Sequence, residues 1–94
     1  MWFLTVQAIS KTASFNTTDF SRTTVHCWIN FPDYEAAVQL VNYYLDLEGW
    51  IVAMIEFSYE VNPKNYTVAD EGYKFALEAE KDGASFIFQT NLPV

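Results

Sequence analysis

Ninety-four residues set the scale of one domain, and 5 basic against 12 acidic side chains give a formal charge of −7. Hydrophobic residues make up 51% of the chain and aromatic residues 18%, a load that excludes an acidic disordered tail. Size excludes a multidomain enzyme, and the charge excludes a basic nucleic-acid binder.

The chain reads from its N-terminus as a strand. Trp2, Leu4, Val6 and Ala8 alternate with Phe3, Thr5, Gln7 and Ile9 over residues 2–11. Residues 12–21 carry five Ser/Thr and no period, which predicts a long loop. A second strand is expected over residues 22–31, with Val25, Cys27, Ile29 and Phe31 opposite Thr24, His26, Trp28 and Asn30. Pro32 ends it, because proline has no N–H for a ladder.

Asp33 is suited to cap a helix that runs to Leu47, and Gly49 to take the left-handed position beyond it. Glu35, Gln39, Asn42 and Asp46 draw a wet stripe along this helix, opposite Ala37, Leu40, Val41, Tyr44 and Leu47. A third strand is predicted over 50–61. Strict alternation puts Ile51, Ala53, Ile55, Phe57, Tyr59 and Val61 on one face, and Trp50, Val52, Met54, Glu56, Ser58 and Glu60 on the other. Asn62-Pro63-Lys64-Asn65 is a turn. Thr67 is a suitable cap for a second helix that contains Gly72 and ends at Gly83. A fourth strand covers 84–92, with Phe86, Phe88 and Leu92 inward.

The predicted fold is a single α+β domain over 1–94, of order ββαβαβ. It is a two-layer sandwich, with two helices on one face of a four-stranded mixed sheet, since helical crossovers usually join parallel strands. The element count is that of a ferredoxin-like fold, whose order βαββαβ differs. Strand order is left open by the element list.

Two helices on one face leave the other face bare, and on the predicted parity that face holds Phe3, Ile9, Trp28, Trp50, Val52, Met54 and Ile87. Burying one large apolar side chain is worth about 1.5–3 kcal/mol, so a cover is expected. Three covers fit: a second copy of the chain, the 12–21 loop with Phe15 and Phe20, or a partner protein or small apolar ligand. The candidate binding residues are Phe3, His26, Trp28, Trp50, Met54 and Glu56.

Catalytic chemistry is thinly represented. His26 and Glu56, placed on one face, could move protons in a cofactor-free enzyme with a hydrophobic pocket. No nucleophile motif or Gly-rich phosphate loop accompanies them, and one Cys with one His falls short of a zinc site. The expectation is a small non-catalytic binding domain, homodimeric through its apolar sheet face, without metal or cofactor. It binds itself or another protein, and neither nucleic acid nor membrane. The alternatives are the cofactor-free enzyme and an acidic inhibitor that mimics nucleic acid. A single cysteine and the lack of a recognisable signal segment lead to a cytoplasmic expectation.

Overall fold

A computed structural model describes residues 1–11, 22–70 and 72–90. The fold is α+β, with the order ββαβαβ. Strands β1 (Trp2–Ser10) and β2 (Arg22–Ile29) precede helix α1 (Tyr34–Leu47). Strand β3 (Trp50–Glu60), a short 3-10 turn (Pro63–Asn65), helix α2 (Tyr73–Asp82) and strand β4 (Ala84–Thr90) follow. The sheet order is β3-β1-β2-β4, which makes β1 and β2 the inner strands.

Every neighbouring pair is antiparallel, which corrects the expected mixed sheet. The α1 crossover carries β3 past β2 to the far side of β1. The strands it joins point the same way but never touch. The longer connection through 61–83 spends its first residues on a turn before α2, so β4 enters the opposite edge antiparallel to β2.

The helices lie on opposite faces, making three layers rather than two. Ala37, Val41 and Leu45 of α1 pack on Leu4, Val6, Ala8, Val25, Cys27 and Ile29. Ala76 and Ala79 of α2 pack on Phe3 and Trp28, which project from the other side of the same two strands. Both faces of β1 and β2 are apolar at this end, so each can bury a helix. The small side of α2 does meet a sheet, but across from α1.

Local capping accounts for the helix ends. The Asp33 carboxylate accepts from the Ala36 N–H at 2.9 Å, and Gly49 takes φ +89°, as the sequence predicts. Helix α2 starts at Tyr73, six residues after the expected cap. The Asp70 carboxylate takes the Thr67 N–H at 2.7 Å and closes a turn instead. Gly72 is thus the residue before the helix, and its constraint is packing. A Cβ there would lie 2.9 Å from Tyr66 Cε2 and 3.1 Å from Trp28 Cζ2.

Strand β3 departs from alternation. Its register against β1 shifts twice, between Thr5 and Val6 and between Gln7 and Ala8, leaving Glu56 and Ala53 as extra residues in two bulges. Each bulge reverses the parity downstream. Trp50, Val52 and Ile55 therefore pack with the α1 core, whereas Ile51, Met54, Phe57 and Tyr59 oppose Ile9, Gln7, Thr5 and Phe3 on the other face. Ile51, Phe57 and Tyr59 thus exchange their expected faces with Trp50, Val52, Ser58 and Glu60.

Two outcomes follow. Gly72→Ala destabilises the fold by about 1–3 kcal/mol, read by chemical denaturation, because Trp28 and Tyr66 must give way. Burial pushes the Cys27 thiol from its ordinary 9.0 up to about 12. The folded state retains a proton that the unfolded chain loses, so the stabilisation is complete below pH 9 and lost as pH rises toward 12. Relative to Cys27→Ala, the wild type loses about 1.4 kcal/mol per pH unit across that window.

Candidate functional site

The Phe3–Trp28 cross-strand pair divides the α2 side of the sheet. The two rings meet edge-on at 4.8 Å between centroids, and Phe75 of α2 stacks on Trp28 at 5.4 Å. Beyond this pair, no helix among the described residues packs on the sheet. Thr5, Gln7, Thr24, His26 and Gln89 form the middle of the open half, and Ile51, Met54 and Phe57 its β3 border.

The middle is a hydrogen-bonded polar lattice. Gln7 Nε2 donates to Thr24 Oγ1 at 2.8 Å and to a carboxylate oxygen of Glu56, which the bulge turns toward it. His26 Nε2 donates to Gln89 Oε1 at 3.0 Å, and the Thr5 hydroxyl donates to His26 Nδ1 at 3.0 Å. Thr5 is buried on the inner strand, and its cross-strand pairing with His26 fixes this contact. Among the described residues, no buried side-chain polar atom lacks a partner.

The predicted site residues are dispersed. Phe3 and Trp28 lie beneath α2, only 8% and 5% exposed. Trp50 is on the α1 side, near Phe88. Met54, His26 and Glu56 do share the open half-face. His26 and Glu56 do not pair, since both imidazole nitrogens are held by neutral groups and the carboxylate is held by Gln7. The arrangement holds the imidazole still but supplies no carboxylate to orient or recharge it. Phe15 and Phe20, the expected loop cover, and Leu92 lie outside the described residues.

What the sequence missed is the apolar border. Ile51, Met54, Phe57 and Tyr59 are 54%, 55%, 49% and 51% exposed on one face of an edge strand. Phe57 and Tyr59 stack with planes 3° apart. Strict alternation assigned three of these four to the helix side.

No protein-family model matches the chain, nor does any curated protein or solved structure. Among the described residues there is no cluster of three or more metal-binding side chains, and no helix long and apolar enough to cross a membrane.

The lattice yields a graded outcome. Thr5→Val leaves a part-buried imidazole nitrogen unpaired and costs about 1–2 kcal/mol in denaturant titrations. Gln89→Leu costs less, because water reaches the bond it removes.

Proposed function

We propose that the protein is a non-catalytic interaction domain that self-associates through the open half of its α2-side sheet face. The observation that carries this reading is the β3 border. Ile51, Met54 and Phe57 stand side by side, half-exposed, next to a rigid polar lattice. An apolar rim beside satisfied polar groups has the mixed character of a protein interface. A second copy is the proposed partner because a two-fold axis sets one such face against itself.

The contact is face to face rather than edge to edge. The bulges at Ala53 and Glu56 break the regular row of backbone groups that another strand would pair with. The cofactor-free enzyme has less support, since the His26 ring is held by Thr5 and Gln89 and by no carboxylate among the described residues. An acidic mimic also loses ground. With α1 and α2 on opposite faces, Glu35 and Asp46 lie on the other side of the sheet from Glu78, Glu80 and Asp82. A reducing, cytoplasmic setting suits a single buried thiol.

Sedimentation velocity at micromolar concentration tests the proposal. The wild type is expected to sediment at twice the monomer mass, and both Met54→Glu and Phe57→Glu as folded monomers. A monomeric wild type overturns the reading, as does a dimer unaffected by either charge.

A further inference from the structure

At the opposite end of the same sheet face, where the chain leaves β3 for α2, lies a cleft of about 490 Å³. Its volume falls in the range of small-ligand sites. The buried Phe3 and Trp28 rings contribute to its floor, and the more accessible Tyr59 and Tyr66 to its walls. Phe3 lies 5.2 Å from Tyr59 between centroids, and Trp28 Nε1 donates to the Tyr66 hydroxyl at 3.3 Å. The rings are thus tied to one another before any ligand arrives. Gly72 lines the same cleft, and any Cβ there would press on Tyr66 and Trp28.

Among the described residues, the charged side chains that line the cleft are both acids, Glu60 and Asp70, and the Lys74 ammonium lies over Phe75, outside the lining. The Asp70 residue lines the cleft, with one carboxylate oxygen held by the Thr67 N–H. Among the described residues no lysine or arginine lines it. Glu60 also lines it, but its register opposite Trp2 assigns its side chain to the other face of the sheet, which leaves Asp70 as the acid on this side.

We propose that this cleft binds an alkylated ammonium group, a cation with a methylated, weakly hydrated head. Aromatic faces attract such a cation through their quadrupoles, and a nearby carboxylate adds to the attraction. The net charge of −7 draws cations toward the whole surface. Competing ligand classes fit less well. A phosphate or carboxylate would meet Asp70 with no positive group among the described lining residues to receive it. A hard metal ion needs six or more oxygens, and no cluster of three metal-binding side chains exists among the described residues. A neutral apolar ligand would gain nothing from Asp70 and would cost it hydration.

The full chain is titrated with choline, with a short peptide carrying trimethyllysine, and with 3,3-dimethylbutanol, the neutral isostere of choline. Trp28 and Tyr66 ring signals are followed by NMR. Saturable shifts with choline or the peptide, at least tenfold tighter than with the isostere, are expected. The tighter of the two cations tells a free small molecule from a modified side chain. Tyr59→Ala alters a half-exposed residue and is expected to weaken binding at least tenfold while leaving the circular dichroism spectrum intact. Asp70→Asn is expected to weaken it several-fold.

Equal affinity for choline and its isostere overturns the proposal, as does the absence of saturable shifts with either cation or full binding by Tyr59→Ala. Met54→Glu lies outside the cleft, so its retained binding is expected whether or not the chain dimerises.

Discussion

The packing of Phe3 against Trp28 across β1 and β2 is the contact on which the rest of the architecture turns. These strands already bury Leu4, Val6, Val25, Cys27 and Ile29 beneath α1. Placing two more large rings on their reverse side creates a second apolar surface that one helix cannot reach. Helix α2 answers it with Ala76 and Ala79, side chains small enough to bring the helix close to the rings. That single docking divides the reverse face, with the polar lattice on one side of the Phe3–Trp28 pair and the cleft at the opposite end.

Much of this plan was legible in the sequence, and its failures have specific causes. Asp33 and Gly49 bracket α1 because capping and left-handed backbone are local chemistry, decided by a few neighbouring atoms. The strands emerged from their alternation for the same reason. Which helix takes which face is not local. Trp2, Leu4 and Val6 are apolar and so are Phe3 and Ile9, so periodicity separates two faces without saying where a helix will settle.

The candidate site suffered most from β3. Ile51, Val52, Ile55 and Phe57 are apolar at both parities, and the sequence there fits a regular strand as well as a twice-bulged one. Only pairing with β1 decides between them, by setting Ile55 beside Val6 and Phe57 beside Thr5. Met54, His26 and Glu56 kept their expected side, whereas Trp50 crossed to the other. The start of α2 was obscured by a rival local structure, the turn that Asp70 closes on Thr67.

The strand order also has a consequence for time. Only β1 and β2 are neighbours both along the chain and in the sheet. Trp2 must find Glu60, and Val25 must find Phe88, each across most of the molecule. Closing such long loops costs entropy before any contact repays it, and non-local pairing slows folding. While β4 is still searching, β2 remains an unprotected edge, with Val25 and Cys27 open to any other strand nearby. The interval before the last strand docks is therefore when this chain is most vulnerable to aggregation.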